Sequence, residues 1–158
     1  MKHALALLLL TACARAPLTA MPALTVRTLD GAPVRLDGLR GPALIDLWAT
    51  WCMPCAHALP FYARLAKETG IHVVAISIDA EDQPVREWLR RNQVPFEVLR
   101  DPGGDVSEQL HMRLMPTSFL IDARGKVVKR HDGFTEEEEP ELEREVRALM
   151  KGATASGG

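Results

Sequence analysis

Cysteine is scarce in this chain: its 158 residues hold three, at positions 13, 52 and 55. A structural zinc site needs four ligands, usually two pairs of cysteine or histidine. Cys52 and Cys55 make one pair, while Cys13 lies in a different kind of segment, so structural zinc is disfavoured. Charge of one sign is also missing. The formal net charge of −2 gives no electrostatic bias toward nucleic acid. No run reaches the roughly 20 apolar residues of a membrane span, and no internal repeat is visible. What is plentiful is apolar side chain, at 47% of residues. That is too much for a disordered chain and enough for one folded core.

The most informative stretch is Trp51-Cys52-Met53-Pro54-Cys55, which follows an apolar, strand-like run at 43–49. Two cysteines at this spacing can close a small disulfide ring. A helix starting there aims its free N–H groups and its dipole at the first sulfur. Both lower the thiol pKa and favour the thiolate, the species that attacks disulfides. So short a loop adds little stability, which argues against a purely structural disulfide. Asp46 is the second unusual residue. A lone carboxylate in an apolar strand is costly unless it is neutral or paired, and burial should raise its pKa.

The flanking sequence supplies a scaffold. Asp30-Gly31 is a hairpin signal between strands at 24–28 and 33–36. Buried strands are predicted at 43–49 and 73–78. A helix over 52–67 would carry Cys55, Ala58, Leu59, Tyr62 and Leu65 on one face, with Pro60 removing one of its hydrogen bonds. A short helix follows at 84–92, with Val85, Trp88 and Leu89 inward. Then come a strand at 96–99, a turn at Asp101-Pro102-Gly103-Gly104 and a helix at 105–110. A hairpin pairs 117–121 with 126–130. The last helix should end near Met150, with Leu142, Val146 and Leu149 as its core stripe, and a flexible tail at 152–158. The acidic run 136–139 fits a helix start. Trp48 and Trp51 are expected to pack around the helix that follows the cysteines. The pattern is α/β: a mixed central sheet with helices on both faces.

The N-terminus reads as a targeting signal, with Lys2 ahead of a short apolar core. Leu10-Thr11-Ala12-Cys13 resembles the lipobox of bacterial lipoproteins, in which the peptide is cut before a cysteine that then carries lipid. The expected organisation is a lipoprotein signal peptide at 1–12, a lipidated Cys13 with a tether to residue 22, and a folded domain at 23–151. The compartment would be extracytoplasmic, where disulfides persist.

Several segments together resemble the thioredoxin superfamily, and more closely its TlpA/ResA-like membrane-anchored thiol-disulfide oxidoreductases. They are Leu29-Asp30-Gly31-Ala32-Pro33-Val34, Trp48-Ala49-Thr50-Trp51-Cys52-Met53-Pro54-Cys55, Ser77-Ile78-Asp79 and Pro116-Thr117-Ser118-Phe119-Leu120-Ile121-Asp122. The resemblance covers roughly residues 22–150. It implies a thioredoxin fold with an N-terminal β-hairpin extension. It makes Cys52 the attacking thiol, Cys55 the resolving thiol, and Pro116 a cis-proline facing them. Trp51, Met53, Pro54 and Met115 would line the substrate site. An aspartate beneath the disulfide, here Asp46, would take the Cys55 proton through water. Many TlpA/ResA-like members instead carry a glutamate three residues after the second cysteine, where this chain has Ala58, and glycine is frequent where it has Leu114. The expected partners are protein disulfide substrates and an upstream membrane thiol reductant, with a role in cytochrome c maturation. A monomer without cofactor or resident metal is expected. Two other readings stand beside this one. Met53, His57, His111, Met112 and Met115 include soft donors suited to a copper(I) metallochaperone. A thiol peroxidase would share the fold, but peroxiredoxins usually place threonine where this chain has Ala49.

Overall fold

The computed structural model describes residues 18–155, with side chains to Ala153. Strands β1 (Thr25–Thr28) and β2 (Pro33–Arg35) pair antiparallel across the Asp30-Gly31 turn. Strand β3 (Ala43–Trp48) is buried at every position, as an apolar strand covered on both faces must be. Helix α1 (Met53–Thr69) follows. Pro54 sits in its first turn, where no helical partner exists for the missing N–H. Gly70 stops the helix in the left-handed region at φ 73°, its N–H bonded to the Ala66 carbonyl at 2.9 Å. The remaining elements are β4 (His72–Ser77), α2 (Asp82–Asn92), β5 (Glu97–Arg100), α3 (Asp105–Gln109), β6 (Thr117–Ile121), β7 (Val127–Asp132) and α4 (Glu139–Ala155). A 3-10 turn, Glu136–Glu138, leads into α4.

The strands form one seven-stranded sheet in the order β2-β1-β5-β4-β3-β6-β7. β3, β4 and β5 run parallel in the middle, and the outer pairings are antiparallel. Alternation along β3 splits the core in two. Leu44 and Trp48 face a cluster built on Leu59, Tyr62 and Leu65 of α1, Val85 of α2, and Leu142 and Val146 of α4. Ala43, Ile45 and Leu47 face the other cluster, with Val106 of α3, Leu36 and Met21. Asp46 shares its parity with Leu44 and Trp48, so it lies on the side covered by α1.

Two expectations are corrected. The tether was predicted to reach residue 22, but Met21 is buried, Ala20 forms a β-bridge with Lys126, and the Thr19 carbonyl accepts the Val127 N–H at 2.9 Å. The apolar side chains of Leu18 and Met21 explain the docking, since both pack into the second cluster. The last helix does not stop near Met150 and leave a tail from 152, because α4 continues to Ala155. Gly152 costs a helix about 1 kcal/mol, which the alanines beyond it do not add to. Gly41 has a packing role as well. A Cβ there would sit 2.6 Å from the carbonyl oxygens of both Ile121 and Asp122, so only glycine fits ahead of the cis Gly41-Pro42 bond. Cys13 and the expected signal peptide lie outside the described residues, which contain no helix long and apolar enough to cross a membrane.

Candidate active site

The turn between β3 and α1 puts Cys52 at the helix N-cap, in an extended conformation. Cys52 and Cys55 form a disulfide with Cα atoms 5.3 Å apart. The Cys52 sulfur accepts the Cys55 backbone N–H at 3.2 Å. This is one of the helix's unpaired donors, and it stabilises negative charge on that sulfur. Cys52 retains 6% exposure and Cys55 none, so the first cysteine is the one a substrate can reach.

Sheet register brings the second loop to the same place. Leu47 of β3 pairs with Thr117 of β6, and Asp46 with Ser118. The chain just before Thr117 therefore runs past the end of β3 toward Cys52. The Met115-Pro116 bond in that loop is cis. Met115 packs against the core cluster that contains both cysteines. Thr117 closes the loop from below, donating from its hydroxyl to the Leu114 carbonyl at 2.6 Å.

Asp46 is fully buried, and neither carboxylate oxygen has a hydrogen-bond partner in bonding geometry. Burial holds its carboxyl well above the ordinary carboxylate range, opposed by the nearby Tyr62 hydroxyl. Tyr62, also wholly buried, is itself pushed up by burial and by the Asp46 charge. A neutral carboxyl is the form that this pocket favours.

The expected site residues divide into two groups. Cys52 and Cys55 follow the C-terminal end of β3 and Met115 packs against the cluster that holds them, while the cis Met115-Pro116 bond precedes β6 and Asp46 lies within β3 on the α1 side. Trp51 was expected to pack around the helix beside Trp48, but only Trp48 does, wholly buried with its ring 4.7 Å from that of Trp88. Trp51 stands 64% exposed because it lies in the turn beyond the strand. Met53, in the first turn of α1, is 72% exposed, and Leu114, in the loop before the cis bond, is 58% exposed. The soft-donor set is not gathered: Met112 packs with the core on the opposite face of the sheet. His57 is exposed and lies 3.7 Å from Glu136. Among the described residues no three His, Cys, Asp or Glu side chains come close enough to hold a metal.

Sequence reasoning missed the residue that holds the turn. Asp79, buried just after β4, accepts from the Thr50 N–H at 3.0 Å, the Thr50 hydroxyl at 2.6 Å and the Ser77 hydroxyl at 2.8 Å. Arg100, also buried, pairs with Asp82 and donates to the Asp79 carbonyl. The signal available was a carboxylate ending an apolar strand in Ser77-Ile78-Asp79. Its partner Thr50 lies too far back in the sequence to be paired by local pattern.

A Cys-x-x-Cys disulfide capping the first long helix, with a buried aspartate on the preceding strand and a cis-proline loop leading into the neighbouring strand, defines a thioredoxin-like protein. Comparison with known proteins is more specific. Residues 17–130 match the AhpC/TSA family. The thiol-disulfide oxidoreductase ResA of Bacillus thuringiensis subsp. konkukian is 32% identical over 124 residues, spanning 76% of this chain and 72% of the relative. A crystal structure assigned as the thiol:disulfide interchange protein DsbE of Chlorobium tepidum superposes with a TM-score of 0.75 at 32% identity, over 84% of this chain and 96% of that one. The exposed lipoprotein thioredoxin Etrx1 of Streptococcus pneumoniae gives 0.65 at 28% identity, over 80% of this chain and 98% of that one. The chain belongs to the AhpC/TSA family and, within it, to the ResA-like thiol-disulfide oxidoreductases.

Proposed function

We propose that this enzyme works outside the cytoplasm, held at a membrane by lipid on Cys13, and reduces protein disulfides. The observation that carries the catalytic reading is the Cys52 sulfur at a helix start, accepting the Cys55 N–H, with a buried carboxyl on the preceding strand. In the dithiol form, the Cys52 thiolate attacks one substrate sulfur. A mixed disulfide forms and the second substrate sulfur leaves as a thiolate, which takes up a proton. Cys55 then attacks the Cys52 sulfur. Asp46 first gives up its own proton to water, and the resulting carboxylate takes the Cys55 proton through water, returning to the neutral form favoured by burial. The first substrate sulfur leaves in turn, and the chain is left with the Cys52–Cys55 disulfide. Two electrons have moved from protein to substrate, and an upstream membrane dithiol restores the starting state.

The lipid anchor is supported by the Leu10-Thr11-Ala12-Cys13 motif and by likeness to an exposed lipoprotein thioredoxin. The reducing direction, in the service of cytochrome c maturation, is supported by the resemblance to TlpA/ResA-like enzymes. Ala49, not threonine, precedes Cys52 by three residues, which favours disulfide exchange over peroxide reduction. The test is the equilibrium potential of the purified protein against glutathione, with Cys55→Ser used to trap substrates on Cys52. A reductant should fall at or below about −200 mV and accumulate mixed disulfides in the variant. A potential near about −120 mV, the range of strong oxidants, would overturn the direction.

A further inference from the structure

We infer that the groove beside the disulfide selects substrates in which an apolar residue and a cationic one flank the reacting cystine, with Glu136 and Glu137 reading the charge. This rests on the thiol-disulfide reading above. The groove, about 370 Å³, has Met53, Pro54 and Phe134 as its apolar lining and His57, Glu136 and Glu137 on its polar side. Met53 and Pro54 are the two residues between the cysteines. A chain joined to Cys52 as a mixed disulfide therefore lies at the edge of the groove.

Two properties specify what fits. The apolar one is Met53, 72% exposed and two residues along the chain from the exposed Trp51. Exposed apolar surface of this kind, rimmed by polar groups, favours an apolar partner. The second property is uncommitted charge. Glu138 spends its carboxylate on the Thr135 N–H at 2.9 Å, and Glu139 pairs with Arg64 at 3.1 Å. Among the described residues, Glu136 has only His57, at 3.7 Å, and Glu137 makes no ion pair or hydrogen bond. Among the described residues, no lysine or arginine lines the groove. A lysine or arginine on the incoming segment would supply the missing opposite charge, giving electrostatic complementarity next to the reacting sulfur.

The test uses pre-reduced full-length protein in single-turnover reactions. Two peptide disulfides are compared, both with an apolar residue beside the cystine, one followed by lysines and the other by glutamates. Neutral hydroxyethyl disulfide serves as a third substrate. At low salt, wild type should react about fivefold faster with the lysine peptide, as expected for two exposed charge pairs. That ratio should fall toward one near 1 M salt, where screening acts within about 3 Å. Glu136→Gln/Glu137→Gln should bring the ratio toward one at low salt too. Equal rates for the two peptides in wild type, or a preference that survives in the double variant, would overturn the inference while leaving disulfide exchange in place. Failure to reduce even hydroxyethyl disulfide would instead overturn the thiol-disulfide reading, and this inference with it.

Discussion

Asp46→Asn removes a buried titration while keeping the shape of the side chain. Burial holds the native carboxyl well above the ordinary carboxylate range, whereas in the unfolded chain it titrates near about 3.9. Below the lower value the carboxyl is neutral in both states. Between the two values the native state keeps a proton that the unfolded state has lost. Stability therefore falls as pH rises through this window, by about 1.4 kcal/mol per pH unit, and levels off once the native carboxyl ionises. Asparagine carries no such proton. The variant should gain on the wild type by that slope, about 2.7 kcal/mol over any two units inside the window. Its buried amide brings an offset of its own, about 1–3 kcal/mol for an unsatisfied group, because neither Asp46 oxygen has a partner to offer it. The offset does not depend on pH, so the slope is the quantity to read. Urea unfolding of the two oxidised proteins from about pH 5 to about pH 8 measures it directly. A stability difference that stays constant across that range would refute the account of a neutral, desolvated carboxyl. The same variant should resolve mixed disulfides slower by a factor on the order of 10². A wild-type rate would leave Asp46 without a part in proton transfer.

Asp79→Ala deletes the acceptor for three donors, the Thr50 N–H, the Thr50 hydroxyl and the Ser77 hydroxyl. It should cost about 3 kcal/mol in urea unfolding, while Thr50→Ser, which keeps the hydroxyl, should cost under about 1 kcal/mol; equal losses would mean that Asp79 does not hold the turn. For the anchor, Cys13→Ala should release the protein from the membrane fraction. A single acyl chain binds membranes at only about 10⁴ M⁻¹, so tight association implies multiple acylation, and unchanged association and mass in the variant would exclude lipid on Cys13.

The fold was legible where local chemistry and tertiary demand agree. The Asp30-Gly31 turn, the apolar run of β3 and the stripe Cys55-Ala58-Leu59-Tyr62-Leu65 each satisfy a turn rule or a period, and each formed as expected. The disulfide pair could be read because both cysteines lie within one helical turn. What stayed hidden depends on partners distant in sequence. Arg100 carries no local sequence signal of burial, yet it is 2% exposed because Asp82 and the Asp79 carbonyl receive its guanidinium. Leu18 and Met21 look like linker because nothing local says that the space beside β7 will accept them. Trp51 was placed with Trp48 by composition alone. Strand geometry ends between the two, and only Trp48 inherits a buried face.

The amide that steadies the Cys52 sulfur belongs to Cys55 itself. Acidity at the first thiol and proximity of the second are therefore one property of a single helical turn, not two features that could drift apart. If that turn frays, the first sulfur loses its stabilising N–H and reverts to a sluggish thiol, just as the second sulfur moves out of range. The converse state, a fast first thiol with no second thiol to free it, has no conformation to occupy. A misfolded or partly opened copy thus tends to be inert and does not become a covalent trap for the proteins it meets. The built-in coupling protects those proteins without any added gate.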